Sequence, residues 1–441
     1  MALTTTNRGP VSTPHIVIAG GGYVGMYTAL GLQKKLRRGE ARVTVIDPRS
    51  AMTYQPFLPE AAAGSLEPRH VVVPLRKVLK RCDVITARVM SVDHAHQTLR
   101  VEPPQGEPYD LTYDEIVVAM GSVARTLPIP GLREHGMGFR QIEEAIALRN
   151  HVLDRLDLAT SVLDPATRSC ALTFVFVGGG YAGVEALAEI EDMARFATRY
   201  YDTIGESDLR FVLVEATGRI LPEVGPDMGR YTVKRLRDRG IEVRLNTRLE
   251  SATDHHIVLS DGEEFDADTL VWTAGVKANP VLGATDLPID DKGRLKAHPD
   301  LRVEGAEHAW TAGDNAAVPD LTHPGQFCSP SAQHAVRQAH LLADNIICAL
   351  RGEELHEYKH KHVGSVASLG LYKGVAQVYG IKLRGLPAWF MHRTYHMSRM
   401  PTFNKKVRVV LDWTLALFFR RDVVSLGSLQ RPRDDFDRAN R

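Results

Sequence analysis

Two stretches of the chain share one pattern of apolar and polar positions. Residues 15–20, HIVIAG, form a short β-branched run that enters GGYVGMYTALGLQKKL, where apolar residues recur at helical spacing. The next run, ARVTVIDP at 41–48, has the pattern of a buried strand and ends in Asp47. From Leu172 the order recurs as LTFVFV, then GGGYAGVEALAEIEDMARF, then LRFVLVEA with Glu215 at the strand end. Strand, glycine turn, helix and strand are therefore predicted twice, and the copies lie far enough apart for each to be a domain.

Shorter alternating runs fill residues 84–118, with a turn at PPQG, and close in EIVVAMGS. A matching close, TLVWTAGV, lies at 269–276 after the second copy. EHAWTAGDNAAV at 307–318 returns to the strand-then-glycine pattern before the helix SAQHAVRQAHLLADNIICAL. The predicted fold class is α/β, with two Rossmann-like dinucleotide-binding domains, the second inserted in the first. The expected division is 14–130 and 290–379 for the outer domain, 131–289 for the inserted one, and 380–430 for a C-terminal region of different composition. A chain of 441 residues exceeds a single ordinary core, in keeping with this division.

The net charge of +1 gives the whole molecule no field for nucleic acid, so any charge argument is local. Cys82, Cys170, Cys328 and Cys348 are too scattered for a disulfide framework or a zinc site, and no metal is expected. Cys170 and Cys348 are expected in the core. Residues 1–14 lack the apolar core of a signal peptide, and no stretch reaches the ~18–20 apolar residues of a spanning helix. The body of the protein is expected in the cytoplasm.

Gly20-x-Gly22-x-x-Gly25 falls where a strand turns into a helix. The first glycine permits the tight turn, the second lets a pyrophosphate approach the backbone, and the third lets helix and strand pack closely. The helix N-terminus offers free N–H groups and a positive dipole end to phosphates. Asp47 is placed to accept hydrogen bonds from a ribose diol. Gly178-x-Gly180-x-x-Gly183 repeats the arrangement with Glu215, whose distance from the glycines exceeds the usual ~20 residues because ARFATRYYDTIGESD extends the intervening segment. A carboxylate there suits the 2′-hydroxyl of NADH and repels the 2′-phosphate of NADPH, and the following residue is Ala216 rather than arginine. Two such sites suggest a resident cofactor and an exchanging one.

The chain resembles the two-dinucleotide-binding-domain flavoproteins and, among them, the type II NADH dehydrogenases (NADH:quinone oxidoreductases). The resemblance is carried by GGGYVG, YQPFLPEAAAGSLEPRHVVVPLR, VVAMGS, GGGYAGVE, WTAGDNAAV, SPSAQHAVRQA and LRGLPAWFMHRTYH, and runs over nearly the whole chain. It implies non-covalent FAD at the first fingerprint and NADH at the second. It likens Asp314 to the acid that contacts the flavin's ribityl and phosphate region. It likens Glu185 to the glutamate beside nicotinamide and flavin that is implicated in proton movement. Lys373, in LYKGVA, is either a partner of the reduced flavin or a solvated lysine. Tyr23, Val89, Gly121 and Gly275 complete the expected cofactor-binding set. The family carries two glutamines four apart at the quinone site; this chain has Gln333 but Arg337 at the second position, with Gln338 about 100° further round the helix. Arg337 either donates to a quinone carbonyl or binds an anionic group.

Flavin disulfide reductases need two closely spaced cysteines, and MTYQPFLPEAAAG contains none. The C-terminal region differs from the rest: residues 381–421 carry nine Lys or Arg against the single acid Asp412, interleaved with aromatic residues and the run VVLDWTLALFF. Eleven residues cannot cross a bilayer core of ~30 Å, but an amphipathic helix with basic flanks can lie in the headgroup layer of an anionic lipid surface. The expected activity is therefore NADH oxidation by a peripheral protein on the cytoplasmic face of the cell membrane, with a membrane quinone as acceptor and no proton pumping. The rival is a soluble NADH-dependent flavoprotein reductase of ferredoxin, another protein or oxygen. The sequence leaves open whether the chain forms a homodimer.

Overall fold

The apolar runs HIVIA and TFVFV become central strands of two parallel sheets, where burial on both faces favours continuous β-branched and aromatic residues over alternation. In the computed structural model, which describes residues 13–360, 364–419 and 421–425, the elements used below follow in chain order. They are β1 (His15–Ala19), α1 (Tyr23–Lys35), β2 (Arg42–Asp47), α2 (Leu58–Ala62), β3 (Asp83–Thr86), β4 (Arg88–Asp93), β5 (Thr98–Glu102), β6 (Tyr109–Thr112) and β7 (Glu115–Val118). Next come β8 (Gly136–Met137), α3 (Ile142–Ser161), β9 (Thr173–Val177), α4 (Tyr181–Ala197), β10 (Arg210–Glu215), β11 (Glu242–Leu245) and β12 (Thr269–Trp272). The last are β13 (Ala309–Thr311), α5 (Ala332–Arg351), β14 (Gly364–Ser368), β15 (Gly374–Val378), α6 (Leu386–Arg399) and α7 (Phe403–Phe418). Residues 1–12, most of the segment read above for a leader, lie outside the described residues, as do Arg420 and 426–430 of the C-terminal region.

The chain divides into two units, the first formed by residues 1–52, 74–123 and 277–361, the second by 53–73, 124–276 and 362–441. In the first, a five-stranded sheet runs β13-β7-β1-β2-β3, all neighbours parallel, and β4-β5-β6 form an antiparallel meander. Helices α1 and α5 pack closely because Gly31 presents no side chain; a Cβ there would stand 2.6 Å from the Ala343 Cβ.

In the second unit the sheet runs β8-β12-β9-β10-β11, again parallel throughout. Phe174, Phe176 and Phe211 are fully buried between this sheet and its helices, with the Phe174 and Phe211 rings stacked at 4.7 Å. Helix α3 begins with a reciprocal cap between Gln141 and Glu144, whose carboxylate accepts the Gln141 N–H at 2.9 Å. Of the two cysteines expected in the core, Cys170 and Cys348 are half-buried, whereas Cys328 is buried. Cys170 closes a short surface helix, where its thiol donates to Asp268 at 3.3 Å. All four cysteines are free.

Deleting the stacked ring tests this core: Phe174→Ala should cost about 3–5 kcal/mol, read as a lower urea midpoint at unchanged m-value.

Candidate cofactor sites

The two fingerprints repeat one another bond by bond. Gly20 (φ +112°) and Gly178 (φ +117°) adopt the region that L side chains avoid, and each donates its N–H to the next strand, to Ile46 O at 2.7 Å and Val214 O at 2.9 Å. A Cβ on Gly25 would lie 1.7 Å from Gly20 O, and one on Gly183 2.0 Å from Gly178 O, so only glycine closes the turn. At Gly22 and Gly180, by contrast, a Cβ would meet nothing within 4 Å. These are the positions where a pyrophosphate must approach, and the structure leaves them open. Both glycines are N-caps without a side-chain cap, and neither α1 nor α4 has an acid in its first turn. The N–H groups and the positive dipole end are thus left for an anion.

Asp47 and Glu215 also hold matching positions. Asp47 accepts the Gly21 N–H at 2.7 Å with one oxygen and the Arg49 N–H at 2.7 Å with the other. Burial pushes the Asp47 carboxyl above the usual carboxylate range, and the two N–H groups pull it back. Glu215 accepts the Gly179 N–H at 2.6 Å and, through its second oxygen, the N–H and hydroxyl of Thr217, each at 2.7 Å. A cleft of about 640 Å³ opens beside it, lined by Gly179, Gly180, Glu215, Thr217, Arg219 and Pro222. Arg219, which no motif singles out, lies in this cleft but turns its guanidinium to the Pro222 carbonyl.

The other expected FAD residues of the first unit are joined by partners that the sequence did not reveal. Ser122 Oγ donates to Asp314 at 2.6 Å, and the Gly121 N–H donates to Asn315 Oδ1 at 3.0 Å. Asn315 in turn donates to Val118 O at 2.9 Å, tying the GDN turn to the end of β7. Tyr23 opens α1, and Val89 is buried in β4. Gly275, in the second unit, has φ +89° and open space at its Cβ position. The donors, the open glycines and the paired acids fit a dinucleotide at each fingerprint.

Gln333 and Arg337 are half-buried on one face of α5, and Arg337 donates to the Gln333 carbonyl at 3.0 Å. Gln338 points elsewhere; it is buried and accepts the Gly313 N–H at 2.7 Å, bracing the turn that carries Asp314. Lys373 is exposed and pairs with Asp192 at 3.6 Å. Glu185 is buried in α4 and accepts the Ser368 N–H at 2.8 Å. One turn on, burial pushes the Glu189 carboxyl up to about 7, against the pull of Arg421.

Residues 14–339 match the pyridine nucleotide-disulphide oxidoreductase family. The chain is also 30% identical to the type II NADH:quinone oxidoreductase of Staphylococcus aureus over 86% of its own length and 93% of that protein's. This chain belongs to the type II NADH:quinone oxidoreductases. Another relative, demethylphylloquinone reductase of Synechocystis sp., is 29% identical over 91% of this chain and 95% of the relative. The fold matches that of NDH2 from Plasmodium falciparum, solved in complex with NADH, with TM-score 0.86 at 18% identity, covering 93% of this chain and all of the other.

If Glu215 reads the ribose of a type II oxidoreductase, Glu215→Gln should raise KM for NADH about tenfold, the equivalent of one charged hydrogen bond, and narrow the NADH-to-NADPH ratio of kcat/KM. Steady-state kinetics with both nucleotides checks this; a wild-type preference for NADPH would refute it.

Proposed function

We propose that this protein is a non-proton-pumping NADH:quinone oxidoreductase that works as a peripheral protein at an anionic membrane surface. The observation that carries the redox half is the duplicated fingerprint, each copy with its acid clamped on the residue after the first glycine, Gly21 or Gly179. We assign Gly20, Gly22, Tyr23, Gly25, Asp47, Val89, Gly121 and Asp314 to FAD, and Gly178, Gly180, Gly183, Glu215 and Gly275 to NADH. Bound FAD would supply the chemistry, accepting a hydride from NADH and releasing two electrons to the quinone. The chain's own part is to bind and orient the nucleotides and to hold protons at Glu185. Gln333 and Arg337 are assigned to the quinone end, with the Arg337 guanidinium as a donor to a carbonyl oxygen. The domain division follows: FAD segments within 14–130 and 290–379, an NADH domain at 131–289, and a membrane-contact region at 380–430.

The membrane reading rests on α7. Val409 faces inward, and Trp413 donates to Glu60 at 2.8 Å, whereas Phe403, Val407, Leu411, Leu415 and Phe418 are exposed along the other side. Phe418 is 78% exposed, a position that an aqueous surface does not explain for a helix-end aromatic. Five of the basic residues show two kinds of partner. Lys382, Arg393 and Arg421 face Asp227, Glu60 and Glu189, while Lys406 and Arg408 donate to the uncharged acceptors Ser398 O and Asn404 Oδ1 and keep their charge for lipid. Asp412, the single acid of residues 381–421, is turned toward His70 at 2.6 Å. No helix among the described residues is long and apolar enough to cross a membrane, so the contact is interfacial.

Anaerobic NADH should bleach the flavin of the holoprotein, and stopped-flow mixing with menaquinone or ubiquinone should restore its colour within the turnover time. Reoxidation by ferredoxin or air alone would favour the soluble-reductase reading, and no bleaching by NADH would refute both.

Replacing Leu411, Leu415, Phe418 and Phe419 together by Ser should move the protein from the pellet to the supernatant when it is spun with vesicles containing anionic lipid. NADH-driven flavin reduction should survive the change.

A further inference from the structure

Glu185 has a second buried partner. Its Oε1, besides accepting the Ser368 N–H, lies 3.1 Å from Nε2 of His392 on α6. Glu185 is 7% exposed and His392 2%. No described group bonds to the other ring nitrogen, His392 Nδ1, and the edge of His396 stands against the His392 ring at a centroid distance of 4.6 Å. Burial holds His396 well below the usual histidine range, and His392 pushes it further down, so His396 stays neutral.

Among the described residues, the charged groups near this pair are engaged elsewhere. On α4, Tyr181 and Glu189 lie one turn before and after Glu185; Glu189 faces Arg421 at 3.7 Å and accepts from Ser368 Oγ at 3.1 Å. Arg393, beside His392 in sequence, is turned away to Glu60 at 2.8 Å and lies between the Trp389 and Trp413 rings. Asp192 is held by Arg239 and Lys373. The group placed to neutralise Glu185 by direct contact is therefore the imidazole of His392.

We propose that His392 is a positioning residue for Glu185: it holds the proton that keeps the Glu185 carboxylate ionised and aimed for the quinone half of the reaction. The inference rests on the quinone-oxidoreductase reading above. A buried carboxylate and imidazole at this distance share one proton, and the Ser368 N–H is a second donor to the same carboxylate oxygen. The overall reaction, NADH + H⁺ + quinone → NAD⁺ + quinol, takes up one proton from the medium. A pair that is neutral while it holds the shared proton, and −1 once it has given it up, can supply that proton and take its replacement from the medium. Without the imidazole, the buried Glu185 Oε1 keeps only the Ser368 N–H of its two direct partners.

The test uses the full-length holoprotein, wild type and His392→Gln, with kcat and KM measured from pH 5 to 9 using a soluble quinone and, separately, ferricyanide, an acceptor that takes no proton. The acid limb of the quinone profile should move up by about 1–3 units in His392→Gln, the size of losing an opposite charge at this range. The ferricyanide profile should keep its wild-type shape, and KM for NADH should not follow the limb. An unmoved limb, or the same shift with both acceptors, overturns the proposal. Should His392→Gln fail to retain flavin, Glu185→Gln decides: the limb should vanish with quinone, and its persistence overturns the proposal. A wild-type protein that NADH does not reduce would defeat the functional reading itself; a normal wild type with an unmoved variant defeats this inference alone.

Discussion

The structure depends on a hydrogen bond made twice, from the N–H of the residue after the first fingerprint glycine, Gly21 or Gly179, to a carboxylate at the tip of the neighbouring strand. The strand registers explain why it recurs. Ala19 at the end of β1 lies opposite Ile46, one residue before Asp47, and Val177 at the end of β9 lies opposite Val214, one residue before Glu215. The same offset brings each acid to the glycine just past the turn. Parallel pairing, the positive φ of the first glycine and the acid's reach must all agree, and a shift of one residue in register would turn each acid to the other face of its sheet. The clamp fixes the turn, the turn leaves the helix N-terminus bare, and the bare N-terminus is open to an anion such as a pyrophosphate.

Much of this was legible because it is local. Three glycines, an apolar strand and a terminal acid fall within short windows whose residue types leave few alternatives, so both sites and the α/β class follow from the sequence. Pairings between distant segments left no such signal. Gln338 stands in a helix where periodicity shows only that it is polar, and its role depends on Gly313 being folded against it. Nothing in MTYQPFLPEAAAG marks Glu60 as the partner of both Arg393 and Trp413. The charge of the C-terminal region was counted correctly from composition, but composition cannot tell which cations are matched inside the molecule and which face outward.

Buried charge is concentrated in the second unit. Glu60, Glu185 and Glu189 sit within two helices and are met by Arg393, His392 and Arg421 from the C-terminal segment. Removing one member of such a pair costs about 3–5 kcal/mol because the other stays buried without compensation. Simple packing would not require such an arrangement. It is sensible where one of the carboxylates must exchange protons during turnover and its neighbours must not.

The Trp389–Arg393–Trp413 stack has a consequence for how this protein could change its address in the cell. The helix whose outer side suits a lipid surface supplies, from its inner side, an indole that donates to Glu60 Oε2. It is a wall of the interior that happens to be greasy outside, not an appendage. On the membrane reading proposed above, a descendant that left the membrane could not do so by losing its tail; it would have to repaint the outer side, residue by residue, while leaving the inner side untouched.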